Sequence, residues 1–236
     1  MLGLPLDPVD RQGLLDRVEA LCEQRGATVA YVNVHVANQA RRHPEVATFL
    51  SGVDLCYADG GGVVLAARWL GHELPERMTG ADWIWDLAER CAGRRRLAWI
   101  GGEPGVTEEA ARALQERAPG LEVWTTHGFH TEDAMRGVLA DCNAFGPDIV
   151  LVGMGTPVQE RWVVRWRPLI EAPVVWCTGA TADFISGRTE RGPAWLHQRQ
   201  EWLARLVVEP RRLWRRYLVG NPLFVARVLR ERWGQR

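Results

Sequence analysis

Between Asp148 and Glu160 the chain reads DIVLVGMGTPVQE. Five residues of buried-strand character lead into a loop containing Gly153, Gly155 and a proline, and Gln159 and Glu160 open a helical stretch. Glycine lets a main chain approach a ligand closely, and the first turn of a helix offers free N–H groups to an anion. Gln159 adds a side-chain donor and acceptor at the same rim. The combination suggests a site for a phosphorylated small molecule. Gly101, Gly102 and Gly105 follow another apolar run in the spacing G-G-x-P-G. That is neither a Walker loop nor G-x-G-x-x-G, so it reads as a ligand loop or as a tight strand-to-helix turn. Asp59 follows a third apolar run and precedes three glycines. A carboxylate there can serve as a general base, or simply form an Asp-Gly turn. His127 and His130 alone are a weak metal signal, and no metal is expected.

These residues share a context. Apolar, β-branched runs at 28–33, 53–57, 97–100, 121–124, 149–152 and 174–177 read as short strands. Amphipathic stretches at 9–25, 37–50, 63–70, 81–91, 106–117, 133–145 and 159–169 read as helices between them. Strands alternating with helices of this length imply an α/β fold with a mainly parallel sheet sandwiched by helices. Ligands of such sheets bind beyond the carboxyl ends of the strands, which is where the chemistry-bearing residues fall. From about Gly192 the pattern changes: tryptophans and leucines alternate with arginines, Pro210 suits a helix start, and Asn221-Pro222 suggests a break. The expected organisation is an α/β catalytic domain over 1–191 and a basic α-helical appendage over 192–236.

At 236 residues and 47% apolar composition, the chain can bury a full core. No apolar run reaches the ~18 residues of a spanning helix, and the first residues lack a secretory pattern. Five scattered cysteines without C-x-x-C spacing favour reduced thiols in the cytoplasm. Net charge is zero but unevenly spread. Residues 199–236 hold ten arginines against Glu201, Glu209 and Glu231, so this tail is +7 and the remainder −7. The chain contains no lysine.

The ordered motifs VNVH, YADGGGVVLAARWLG, LPERMTGADW, WIGGEPGV, HGF, DIVLVGMGTPVQERW, TGATADFISG, RGPAW and EWLARLVVEPRRLWRRY resemble the WecG/TagA/CpsF glycosyltransferases of bacterial cell-surface polysaccharide synthesis. The resemblance covers about 29–224. It implies an inverting, metal-independent enzyme that moves a sugar from a UDP-sugar to a polyprenyl-diphosphate-linked saccharide at the cytoplasmic membrane face. The donor sugar would be of N-acetylmannosamine, mannosaminuronate or glucose type. No cofactor is implied, and the chain has no Asp-x-Asp sequence. On this resemblance Asp59 is the general base, with Gly60 beside it. Asn33 orients Asp59 or binds donor hydroxyls, and Arg77 offsets charge on the leaving UDP. Gln159 is the pocket glutamine. Tyr31 replaces a family threonine and Val158 a common lysine. His127, Gly128 and Phe129 belong to the nucleotide pocket. Asp183 contacts the uridine or caps a helix.

Arg205, Arg212 and Arg215 are spaced to share a helix face, with Arg211 and Arg216 nearby. With the interleaved Trp202, Leu206, Leu213, Trp214, Tyr217 and Leu218 they suit an anionic membrane surface, or a helical pair packed on the core. The resemblance adds closure of these arginines over the diphosphate. An apolar face could make a homo-oligomer, but no such face is located in the sequence. Two other functional classes share parts of this pattern. A nucleotide-binding oxidoreductase would need glycines after the first strand, where the chain reads VHVANQA. A non-catalytic, nucleic-acid-binding use of the arginine-rich tail sits poorly with the acidic remainder and the lack of a reader motif.

Overall fold

The structure is a computed structural model that describes residues 1–188, 206 and 210–234, without the side chain of Arg212. Arg205, the RGPAW motif and Trp202 lie outside the described residues. All six expected strands are present: β1 Ala27–Val32, β2 Leu55–Ala58, β3 Arg96–Gly101, β4 Glu122–Thr126, β5 Ile149–Gly153 and β6 Val174–Cys177. They form one sheet in the order β2-β1-β6-β5-β3-β4, with every neighbouring pair parallel. The period-2 geometry of a strand sends alternate residues to opposite faces. Val150 and Val152 therefore join one core cluster, and Ile149 and Leu151 the other.

Helices cover both faces. On one lie α2 Val34–Arg42, α3 Pro44–Ser51, α4 Gly61–Trp69, α7 Glu132–Phe145 and α8 Val158–Trp166. On the other lie α1 Arg11–Leu21, α5 Gly80–Cys91, α6 Val106–Arg117 and α9 Thr181–Ile185. Each buried Val, Leu or Ile contributes roughly 1.5–3 kcal/mol, so these two apolar layers hold the sheet. The chain changes face between α4 and α5, and the crossing segment passes the carboxyl edge of the sheet beside Asp59, which bridges Met78.

Three local readings are corrected. The stretch 37–50 is two helices, because Pro44 has no N–H to continue the ladder and instead starts α3. The stretch 159–169 ends in a 3-10 turn, Arg167–Leu169, around Pro168. Asn221-Pro222 is not a break. An α-helical segment α10, Pro210–Trp214, widens into a π turn, Arg215–Val219, and continues as α11, Gly220–Gly234. The wider turn shifts the hydrogen-bond register just where Pro222 lacks a donor.

This C-terminal helix packs on the core. Phe224 and Val228 are buried in the same cluster as α2 and α4 residues. Asn38 of α2 donates to the Gly220 carbonyl (2.8 Å) and accepts from Arg227 Nη1 (2.6 Å). The other side exposes Trp214, Leu218, Val219, Leu223 and Trp233. Among the described residues, no helix is long and apolar enough to cross a membrane.

Candidate active site

A cleft opens beyond the carboxyl ends of β2, β1, β6 and β5. Tyr31, Asn33, His35, Tyr57 and Asp59 line one side, and Gly155, Thr156 and residues 178–181 the other. Thr79, Gly80 and Ala81 form a lip, and Phe184 and Arg216 also reach the cleft. Its floor is stiff. Tyr57 is 1% exposed and meets Trp83 and Trp176 edge-on, and those two indoles stack at 4.0 Å.

Asp59 leaves β2 with its N–H bonded to the Val32 carbonyl (2.9 Å). Gly60, at φ +85°, turns the chain into α4 and donates to the Met78 carbonyl (2.8 Å). A side chain is strained in that left-handed region, which explains the glycine. Asn33 is the N-cap of α2, and its Oδ1 accepts from the Val36 N–H (2.9 Å). That bond fixes which end of the amide faces inward, so Nδ2 donates to Asp59 Oδ2 (2.8 Å). A helix cap therefore orients a carboxylate on the neighbouring strand. The cleft also shifts Tyr31. Burial first, and then the Asp59 charge, push its phenol upward, so it stays a neutral hydroxyl beside the carboxylate.

The opposite wall is held from behind. Gln159 is 1% exposed; its Oε1 accepts from the Gly179 N–H (3.0 Å), and its Nε2 donates to Glu160 (3.1 Å). Gly179 has φ +58°, and a Cβ there would lie 2.3 Å from the Tyr31 hydroxyl oxygen. Thr181 donates to the Thr178 carbonyl (2.7 Å). Its hydroxyl occupies the space of a Gly80 side chain, 2.1 Å from where that Cβ would be.

The cleft thus brings together an oriented carboxylate, amide and hydroxyl donors and an arginine. The sequence pattern of the glycosyl transferase WecG/TagA/CpsF family matches residues 1–236. The chain belongs to this glycosyltransferase family. One similar relative is an N-acetylglucosaminyldiphosphoundecaprenol N-acetyl-beta-D-mannosaminyltransferase of Bacillus spizizenii. It is 29% identical over 212 residues, which cover 89% of this chain and 81% of the relative. A protein of the same name in Staphylococcus aureus (strain NCTC 8325) is 25% identical over 238 residues, covering 97% of this chain and 91% of the relative.

Within this glycosyltransferase, the residues singled out in the sequence divide into groups. Tyr31, Asn33, Asp59 and Gly155 line the cleft, and Gly60 adjoins Asp59. Gln159 stands behind the wall. Arg77 is exposed on the crossing segment, and a Cβ added at Gly61 would lie 3.4 Å from its Cδ. Asp183 is partly buried in the first turn of α9, next to the cleft residue Phe184; the N-cap is Ala180.

Gly101, Gly102, Gly128 and Gly153 gather at the ends of β3, β4 and β5. Gly102 donates to the Gly153 carbonyl (3.0 Å) and accepts from the Gly128 N–H (3.0 Å). A Cβ on Gly101 would lie 2.2 Å from the Gly153 oxygen, and one on Gly153 would lie 2.8 Å from the Gly179 oxygen. Gly101 and Gly153 thus permit main chain to pack on main chain, while Gly102 and Gly128 make room for the Val106 and Met154 side chains. Beyond them the His127 and His130 rings stack at 3.9 Å, and Phe129 is 72% exposed. Burial lowers the pKa of His130, and His127 adds to that shift.

In the tail, Arg216 lines the cleft, whereas Arg215 is exposed and lies over the Trp214 ring (5.2 Å). The side chain of Arg212, like Arg205, is outside the described residues. His35, Thr79, Thr178 and Thr181 were not singled out, because a lone histidine and loop threonines carry no signal before the strand ends converge.

Proposed function

We propose that this glycosyltransferase transfers an N-acetylmannosamine-type sugar from a UDP-sugar to a polyprenyl-diphosphate-linked saccharide, with inversion and without a catalytic metal. The reading rests on one observation: Asp59, held by the Asn33 amide at 2.8 Å, lies in a cleft reached by Arg216. The names of the relatives from Bacillus and Staphylococcus support the sugar and the lipid-diphosphate acceptor.

In this mechanism the acceptor hydroxyl enters beside Asp59. Its oxygen attacks C1 of the donor sugar while Asp59 takes its proton. The bond from C1 to the diphosphate oxygen breaks, and UDP leaves with the electron pair. Arg216, with Arg77 at the rim, offsets the charge that develops. Asn33 keeps the carboxylate aimed at the attacking oxygen. The uridine extends toward the edge formed by β5, β3 and β4, where the exposed Phe129 offers a stacking face.

The acceptor brings the enzyme to the inner face of the membrane. The exposed Trp214, Leu218 and Leu223, with Arg211 and Arg215, support docking of the C-terminal helix on an anionic bilayer. In this reading residues 192–236 are the membrane-facing part of the enzyme and 1–191 the catalytic part. The deciding experiment is UDP release from UDP-N-acetylmannosamine with a short-chain lipid-diphosphate N-acetylglucosamine acceptor, with and without EDTA. Turnover that persists in EDTA is expected. Turnover only with added divalent ion, or none with any UDP-sugar, overturns the reading.

A further inference from the structure

Behind the cleft wall lies a carboxyl that the mechanism does not use. Glu160 is 3% exposed, in the first turn of α8. Its Oε1 accepts from Thr156 Oγ1 (2.8 Å) and from Gln159 Nε2 (3.1 Å). Its Oε2 is buried and has no hydrogen-bond partner among the described residues. One oxygen takes both side-chain hydrogen bonds. Burial pushes the carboxyl above the usual glutamate range, although hydrogen bonds from Thr156, Gln159 and its own main chain act the other way.

What that oxygen holds is the orientation of an amide. With Nε2 directed to Glu160, the Gln159 carbonyl faces Gly179 and accepts its N–H. The turn at 178–181 has no slack on its other sides. Gly179 fits against the Tyr31 hydroxyl, and Thr181 fits against Gly80. A shift of this turn therefore changes the width of the cleft facing Asp59. Buried hydrogen bonds arranged in series act as one unit, because each fixes the geometry of the next.

We propose that Glu160 is a positioning residue: one carboxyl oxygen fixes the Gln159 amide, which fixes the Gly179 N–H and with it the cleft wall opposite Asp59. The proposal rests on the transferase reading of the cleft for its effect on turnover, but not for its effect on the wall. Glu160 touches no substrate.

The test uses the full chain with Glu160→Gln, Glu160→Leu, Gln159→Leu and the double leucine variant. Gln keeps the accepting oxygen, so Glu160→Gln is expected to stay within about 3-fold of wild-type turnover, with the same pH profile. Leu has similar bulk and no acceptor. Glu160→Leu is expected to lose on the order of 30-fold, and the double variant to be no worse than either single by more than about 3-fold. Amide exchange at Gly179 gives a second readout that needs no substrate. Its protection should persist in Glu160→Gln and be lost in Glu160→Leu and Gln159→Leu. If wild-type enzyme turns over no UDP-sugar while this exchange pattern holds, the transferase reading fails and the relay stands. Glu160→Leu with wild-type turnover and Gly179 protection would overturn the proposal. So would a Glu160→Gln variant as damaged as Glu160→Leu, because the charge and not the acceptor would then be what matters.

Discussion

Asp59 and Gly101 each stand at the carboxyl end of a strand in the same parallel sheet, but the sheet uses the two ends differently. Around Asp59 side chains converge: Asn33 bonds the carboxylate, Tyr31 stands beside it, and Arg216 arrives from a helix far along the chain. Around Gly101 backbone meets backbone: Gly102 bonds both Gly153 and Gly128, and the nearest atoms to a Cβ on Gly101 all belong to the Gly153 main chain. A glycine-rich loop after a strand is thus not one kind of feature. At Gly155 a Cβ would meet nothing within 4 Å, and the residue lines the cleft; at Gly101 a Cβ would meet a carbonyl at 2.2 Å. The first leaves room for a ligand, and the second closes a packing gap.

The contrast predicts that changes near Asp59 remove activity and spare stability, whereas changes near Gly101 do the reverse. The largest effect is expected for Asp59→Asn. Loss of a general base lowers turnover roughly 10²–10⁴-fold, with an unchanged melting temperature. Near wild-type UDP release from folded Asp59→Asn would break the contrast at its stronger end. Arg216→Ala should follow, with a loss of about 10–100-fold in kcat/KM for one charge-assisted contact. An equal loss in Arg215→Ala would show that lining the cleft does not select which arginine acts.

Gly101→Ala tests the other region. The clash and the strained backbone should cost about 2–4 kcal/mol, read as a Tm lowered by roughly 2–4 °C per kcal/mol. Turnover per folded molecule should hold. Weakened UDP affinity with an unchanged Tm would instead make that bend a ligand loop. The membrane reading has its own test, because truncating the tail would strip Phe224 and Val228 from the core. Trp214→Glu with Leu218→Glu and Leu223→Glu should weaken binding to anionic liposomes about 10-fold or more while sparing turnover of a water-soluble acceptor.

The smallest effect is a pH dependence. The folded-state pKa of Glu160 is raised by burial, so its stabilising contribution is complete below the ordinary glutamate range and is lost as pH rises through the folded value. Glu160→Gln removes this loss. Its Tm should exceed that of wild type near neutral pH, and the gap should close on acidification to about pH 4. A gap that widened on acidification would mean that the carboxylate is ionised and stabilising in the fold.

Much of this was legible in the chain itself. Strand runs such as 149–152 are continuous and apolar because a central parallel strand is buried on both faces, and six of them separated by amphipathic stretches leave few other architectures. Asp59 was also visible, because it follows a strand and precedes three glycines, and Asn33 was visible through the family resemblance. Helix ends were less so: His43-Pro44 split a continuous amphipathic pattern, and Pro222 did not break one.

What the sequence alone determined is the set of elements and the family, because burial period and ordered motifs are local properties of the chain. What only the tertiary structure decided is which residues face one another. Arg216 reaches the cleft while its neighbour Arg215 is exposed over the Trp214 ring, because adjacent positions on a helix do not share a face. Gln159 lies behind the wall because its two ends are claimed by Gly179 and Glu160. Gly101 and Gly155 look alike as letters and differ in use because the space around a glycine is set by strands distant in sequence. Side-chain direction and empty volume depend on the summed packing of remote segments, and no local pattern encodes that sum.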